Sequence, residues 1–407
     1  MLPMDGFPKD FFWGAATSAY QVEGGNSNSD WWEWEKEAKK TQSAQACRHY
    51  QLFLEDFEIA RGLGHNAHRL SIEWARIEPS EGEFCEKEIR HYQEVISALR
   101  QRNLEPVVTL HHFTNPIWFA QKGGWEHPRS VEYFRRFCEK IVGVLAPDVR
   151  FWVTINEPMV YLYHSFLLGI WPPQKTSYFS TRKVLAHLVS AHVSSYRLIH
   201  GIYRKRGFTS PKVSIAHNMQ DFVACRNTFK DKAGAYLRDK LFNLDIIRTL
   251  LYHRSLDFIG LNYYTRGLVE VKNWSLRSLL SDNCEEGHHP LKKNDMGWDI
   301  YPQGLYDLLV KLNRFKLPVF ILENGICTND DGLRWDYISA HLENMQKAIA
   351  SGVNVLGYIY WSLLDNFEWD KGFWPHFGLV EVDYSTFQRR VRESARKYAK
   401  VCRENSL

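Results

Sequence analysis

Along the chain, apolar residues gather into eight short runs of β type, each closed by polar or turn-forming residues. The first four are FFWGAATSAY from residue 11, AHRLSIEW from 67, EPVVTLHHF from 105 and FWVTINEP from 151. KVSIAHN from 212, DFIGLNYYT from 257, LPVFILENG from 317 and VLGYIYWSLLD from 355 complete the set. Between them the apolar spacing turns helical. Ile89, Tyr92, Ile96 and Leu99 share one face of EKEIRHYQEVISALRQ, and Leu185, Leu188, His192, Tyr196 and Ile199 share a face of a later segment. WDYISAHLENMQKAIASG predicts a further helix, closed by Gly352.

Eight strands alternating with helices predict an α/β fold, a single (β/α)8 TIM barrel. An open doubly wound sheet is the rival, but no glycine-rich phosphate loop follows the first strand. Pro106 and Pro318 stand at strand starts, where a missing N–H is tolerated. The polar, irregular segment 271–300 reads as an active-site loop after strand six rather than a linker, so residues 1–407 are expected to form one domain.

In such a barrel, chemistry gathers where the strands end. Strand one ends near Gln21 and Glu23, strand two carries Arg69 and Glu73, and strand three ends in His111-His112. Strand four ends in Asn156-Glu157-Pro158, strand six carries Asn262 and Tyr264, and strand seven ends in Glu323-Asn324-Gly325. Strand eight ends in Trp361, with Glu368-Trp369 in the loop beyond. Glu157 is read as the last residue of its strand, with Pro158 ending the ladder. Glu323 takes the same place on strand seven, with Gly325 supplying the turn.

Either tripeptide alone, NEP or ENG, is a weak signal. Together, each closing an apolar run, they aim two carboxyl groups into one pocket from opposite walls, which suits glycosidic bond cleavage. One group donates a proton to the leaving oxygen. The other attacks the anomeric carbon or activates water there. Arg69, low in the pocket, would keep a neighbouring carboxylate ionised and nucleophilic. The second carboxyl, desolvated and near that negative charge, would have a raised pKa and serve as the acid.

Composition sharpens this. Aromatic residues make up 14% of the chain, with 15 tryptophans, many beside polar groups as in DWWEWE and NFEWDKGFWPHFG. Aromatic faces take the C–H surface of a sugar ring while polar neighbours take its hydroxyls. Charge points elsewhere than nucleic acid: 51 basic and 47 acidic residues leave +4, and Arg204-Lys205-Arg206 reads as a solvated helix end. Seven cysteines lie singly at 47, 85, 138, 225, 284, 327 and 402, which predicts reduced thiols in a cytoplasmic protein. The start, MLPMDGFPKDFFWG, does not read as a signal peptide. No apolar run reaches the ~18 residues of a membrane span; peripheral association stays open. His111-His112 has no HExxH or Cys/His cluster beside it, so a hydroxyl contact or a packed pocket pair is preferred to a metal site. Glu73 and Trp74 are read as structural.

Several of these segments resemble one family, the retaining β-glucosidases and β-glycosidases of glycoside hydrolase family 1. FFWGAATSAYQVEG resembles its N-terminal signature, HRLSIEWARI its second strand, TINEP its acid/base motif and DFIGLNYYT its sixth strand. MGWDIYPQGL, ILENG and YWSLLDNFEW follow in the family's order. The resemblance implies that Glu157 is the general acid/base and Glu323 the nucleophile. Asn156 would bond the sugar 2-hydroxyl, and Arg69, Tyr264 and Asn262 would support the nucleophile Glu323. Gln21, His111, Glu368 and Trp369 would hold the hydroxyls of the non-reducing sugar over Trp361 as stacking floor. It implies no metal or organic cofactor and a small-molecule β-glycoside as partner.

The family commonly has His-Trp after strand three, where this chain is read as having His111-His112-Phe113. HHFTNPIWF and GIWPPQ resemble compact archaeal members, including a membrane-associated type favouring alkyl glycosides, and the short chain implies trimmed loops and broad aglycone tolerance. Members acting on 6-phospho-sugars carry a Ser and Lys set where this chain has Asn366-Phe367-Glu368-Trp369; a carboxylate there would repel a phosphate. A transglycosylase, a non-catalytic sugar-binding barrel and a metal-dependent barrel hydrolase are the alternatives. The second of these needs loss of a carboxylate, and both are present.

Overall fold

The structure, a computed structural model, describes residues 6–281, 284 and 291–407. The eight predicted runs each contain one strand of a closed barrel. In chain order these are β1 (Phe12–Ala16), β2 (Ala67–Ser71), β3 (Glu105–Thr109), β4 (Phe151–Asn156) and β5 (Lys212–Asn218). β6 (Ile259–Tyr263), β7 (Val319–Asn324) and β8 (Val355–Trp361) follow. Every neighbouring pair is parallel, and β8 returns to β1 to close the ring. Parallel strands covered on both faces must be apolar almost throughout, which is why they read as runs rather than alternations.

Helices cover the outside. They are α1 (His49–Gly62), α2 (Glu86–Gln101), α3 (Ser130–Leu145), α4 (Tyr178–Arg206), α5 (Asp245–Tyr252), α6 (Pro302–Leu312), α7 (Asp331–Ala350) and α8 (Glu393–Glu404). The predicted face of α2 is the buried one. In α4, Leu188, His192 and Ile199 are buried, while Leu185 and Tyr196 are half-buried. Gly352 closes α7 in the left-handed region, donating its N–H to Ile349 O at 2.9 Å. Among the described residues, no helix is long and apolar enough to cross a membrane.

The barrel interior is plugged at one end. Phe12, Phe151, Phe258 and Phe320 lie at or next to the starts of β1, β4, β6 and β7, and their ring centroids are 5.3–6.1 Å apart. Strands β1 and β4 are not neighbours, so the Phe12–Phe151 contact crosses the lumen. This apolar floor leaves the other end, where the strands finish, for polar chemistry.

Three local readings change. The β4 ladder ends at Asn156, and Glu157 lies one residue beyond it at φ 42, ψ 57. Pro158 does not merely stop the strand; it opens a short helix (Pro158–Leu162), where its missing N–H is free of cost. Gly325 has no left-handed backbone; a Cβ there would overlap the Trp361 carbonyl oxygen, so close approach to β8 requires the glycine.

The cysteines also differ from expectation. Cys225 and Cys284 form a disulfide, so the thiols are not all reduced. Beyond the barrel, Asp221–Ala224 and Arg266–Val269 pair as a small parallel sheet that extends β5 and β6. Cys225 N–H donates to Val269 O and Cys284 N–H to Leu268 O, which brings the two sulfurs together. A separation of 59 residues hid this in the sequence. The other five cysteines are free.

Candidate active site

Strand register sets the site. Asn218 on β5 lies opposite Asn262 on β6, and Asn262 lies opposite Glu323 on β7, so three polar side chains share one level of the ring. Arg69 comes from β2 and is 1% exposed; a buried guanidinium demands acceptors. It finds four: Nη1 ion-pairs with Glu323 Oε1 and donates to Leu322 O at 3.3 Å, Nη2 donates to Asn156 Oδ1 at 2.7 Å, and Nε donates to Thr109 Oγ1 at 3.1 Å. The Tyr264 hydroxyl, just past β6, donates to Glu323 Oε2 at 2.5 Å. Burial and the Glu323 charge push Tyr264 well above the usual phenol range, so it stays a donor.

Glu157 has different company. Asn262, expected beside the nucleophile, instead donates from Nδ2 to Glu157 Oε1 at 2.8 Å, Asn218 Nδ2 donates to the same atom at 3.0 Å, and among the described residues no cation pairs with Glu157. Burial, then the nearby Glu323 charge, raises its pKa to about 8, against the two amide donors that lower it. The left-handed backbone at Glu157 is uncommon for a side chain of this kind and marks a site the surrounding structure must enforce. The two carboxyl groups thus meet through one hydrogen-bonded network but in unlike states. One has an arginine and a hydroxyl; the other has neutral amides and a raised pKa.

Above this pair stands an aromatic and polar wall. Gln21 lies on a short helix (Ala19–Val22) rather than a strand end. Its amide donates to Asn366 Oδ1 at 3.0 Å, Phe367 O at 2.9 Å and Glu368 Oε2 at 3.2 Å, while Ser18 donates to its carbonyl at 2.7 Å. Burial, then the Glu323 and Glu157 charges, raises Glu368 to about 8. His112 lies parallel to both Trp361 and Trp369, with centroids 5.9 Å from each.

His111 and His112 exchange the places expected of them. The β3 ladder ends at Thr109, which faces Arg69, and strict alternation would have turned His111 inward. The chain leaves the ladder there, and Phe113 takes a left-handed φ of 71. His111 therefore packs behind the wall against Trp125, Phe134 and Tyr161, with Nε2 on Asn115 Oδ1 at 3.1 Å. Burial lowers it to about 4. His112 is the histidine at the pocket.

The remaining residues sort readily. Glu73 accepts from Thr114 and from Ala75 N–H at the start of a short helix (Trp74–Ile77), a structural role. Asn218 escaped the sequence reading, although it ends the fifth run and the same strand-end rule points to it. Trp298 also escaped it. It belongs to segment 271–300 and packs on the Tyr264 ring at 5.8 Å; residues 282, 283 and 285–290 of that segment lie outside the described residues. Among the described residues, the one metal-like cluster is Cys225, Glu270 and Cys284, away from this network, and its sulfurs are bonded to each other. A groove of ≈ 1060 Å³ between α3 and α4 holds none of the site residues.

The comparisons with known proteins show the family. The sequence profile of Glycosyl hydrolase family 1 matches residues 4–249 and 242–407. The solved structure of a beta-glycosidase from Pyrococcus horikoshii superposes with a TM-score of 0.91 at 38% identity, covering 99% of this chain and 96% of that one. A Thermotoga maritima family 1 glycoside hydrolase, solved with a cyclophellitol analogue described as a transition state mimic, gives 0.92 at 29% identity over the full length of both. Beta-glucosidase A of Thermotoga maritima is 30% identical over 98% of each chain. On profile, fold and paired carboxyl groups together, the chain belongs to glycosyl hydrolase family 1 and is a β-glycosidase, an O-glycosyl hydrolase.

Proposed function

We propose that this enzyme is a retaining β-glycosidase with Glu323 as nucleophile and Glu157 as general acid/base. A Glu323 oxygen attacks the anomeric carbon, forming a C–O ester bond. The bond to the aglycone oxygen breaks, and that oxygen takes the proton from Glu157. Glu157, now a carboxylate, then takes a proton from water; the water oxygen attacks the same carbon and the ester bond breaks. Two inversions give net retention. The observation that carries this assignment is the asymmetry of partners. A cation and a hydroxyl serve Glu323, while neutral amides and a pKa of about 8 serve Glu157.

Asn156 donates to the sugar 2-hydroxyl. Gln21, Glu368, Trp369 and His112 surround the other hydroxyls over Trp361, with His112 in the place first given to His111. Glu368, flanked by two further carboxyl groups, favours a neutral hexose over a 6-phosphate, although one relative, at 27% identity, is a 6-phospho-beta-galactosidase. The alignment with the Beta-galactosidase of Pyrococcus woesei spans 487 residues against 407 here, which supports a trimmed mouth and broad aglycone tolerance, with transfer to alcohols competing with water. Residues 1–407 act as one catalytic unit, with 271–300 as the active-site loop; the Trp298–Tyr264 contact supports that role. A cytoplasmic setting rests on the five free cysteines, and the Cys225–Cys284 disulfide runs against it.

The test is Glu323→Gly. Hydrolysis of p-nitrophenyl β-glucoside is lost, and added azide restores aglycone release with formation of the α-glycosyl azide. Wild-type rates that survive this substitution would remove Glu323 from the mechanism.

A further inference from the structure

The small sheet beyond β5 and β6 brings two sulfurs and a carboxylate to one point. Val269 O takes the Cys225 N–H at 2.8 Å and Leu268 O takes the Cys284 N–H at 3.1 Å. Both sulfurs therefore stand beside the strand Arg266–Val269, and Glu270 is the next residue along it. The two sulfurs and a Glu270 carboxylate oxygen all lie within 4.8 Å of one another. Cys225 and Glu270 are buried and Cys284 is half-buried. The footing is firm: Val269 and Val271 pack on Ala235, and Val271 N–H donates to Asp231 Oδ1 at 2.8 Å. Arg226 stands between Asp231 and Glu270, at 2.8 and 3.0 Å.

We propose that Cys225, Cys284 and Glu270 form a zinc site when the cysteine pair is reduced, so that the two sulfurs hold either each other or a Zn²⁺ ion. A dithiol opens the disulfide by thiol exchange: the protein gains two electrons and two protons, and the reductant leaves as its own disulfide. Zn²⁺ then replaces the two thiol protons, which pass to solvent. Paired thiolates select zinc over the hard cations magnesium and calcium. With Zn–S bonds of about 2.3 Å at tetrahedral angles, the sulfurs would stand about 3.8 Å apart. Cα atoms 5.7 Å apart suit that separation as they suit the disulfide. Glu270 supplies the third ligand and water the fourth. Two thiolates and a carboxylate leave the zinc complex with one negative charge, and Arg226, already beside Glu270, balances it. Cys284 lies within segment 271–300, so either linkage anchors that segment to the extension of β5.

The full chain is reduced with dithiothreitol, freed of reductant and metal under argon, given ZnCl2 and gel-filtered, and its retained zinc is counted by elemental mass spectrometry. The reduced wild type should retain one Zn²⁺ per chain and the oxidised protein none. A chain carrying both Cys225→Ser and Cys284→Ser should retain none. Glu270→Gln should weaken zinc at least about tenfold in competition with a chromophoric chelator, since even groups behind a metal ligand are worth that much. The wild type alone gives a second measurement, independent of whether the variants fold. Zinc should slow iodoacetamide modification of Cys225 and Cys284 in the reduced protein, mapped by peptide mass, and EDTA should restore it. Four results overturn the proposal: a pair that dithiothreitol does not open, reduced wild type without zinc, equal zinc in the double-serine chain, or alkylation that zinc changes less than twofold. Undiminished affinity in Glu270→Gln overturns the three-ligand site.

Discussion

Asn262 stands opposite Glu323 in the register of β6 and β7, yet its side chain donates to Glu157 at 2.8 Å. One residue therefore couples the two carboxyl groups. Its backbone fixes the height of one and its amide serves the other. The same amide reaches Asn156 Oδ1, which Arg69 also holds. The two carboxyl groups are thus set by a network whose members come from β2, β4, β5, β6 and β7.

The unlike partners of the two groups give a leaving-group test. Glu157→Ala should lower kcat/KM for alkyl β-glucosides by about 10²–10⁴, the usual worth of general acid catalysis. For 2,4-dinitrophenyl β-glucoside, whose aglycone departs without a proton, glycosylation should hardly change. Equal losses on both substrates would show that Glu157 is not the acid.

The pH profile follows from the same group. As the proposed acid, Glu157 must be protonated when the aglycone leaves. Burial and the Glu323 charge raise its pKa to about 8, so kcat/KM should hold below that pH and fall as pH rises through it, in a one-proton limb. In Glu157→Gln, measured on the dinitrophenyl substrate, this alkaline limb should vanish. Its persistence would assign the limb to another group, Glu368 being the first candidate because it too is raised to about 8.

Much of the arrangement was legible in the chain. The eight runs gave the barrel because strands buried on both faces must be apolar, and the polar residues that interrupt the run ends mark the catalytic face. The run ends point to Arg69, Glu157, Tyr264 and Glu323, which the structure joins in one hydrogen-bonded network. What escaped lies where the ladder stops. Side-chain direction is predictable while alternation holds, but after Thr109 the chain turns, and His112 rather than His111 faces the pocket. Glu157 needs a left-handed backbone that no local residue preference announces. Gly325 looked like turn chemistry and is instead a matter of space beside Trp361, a contact between neighbouring strands. The Cys225–Cys284 pair depends on strand extensions that meet only in three dimensions.

That pair is open to a direct count. The non-reduced, unfolded protein should show five reactive thiols out of seven cysteines, rising by two after reduction. By the chain-entropy estimate, closing a loop of 59 residues stabilises the fold by about 4 kcal/mol, so reduction should lower Tm measurably. Seven thiols before reduction would show that the two sulfurs are not bonded in the isolated protein.

The assignment of Glu323 as nucleophile is tested most directly by trapping it. A 2-deoxy-2-fluoro β-glucoside with a dinitrophenyl leaving group slows both steps but lets the first proceed, so the glycosyl ester accumulates. Mass spectrometry of the inactivated protein should show one added fluoroglucosyl group, carried by the peptide containing Glu323. A label on Glu157 or any other residue, or rapid inactivation without a covalent adduct, would contradict the assignment.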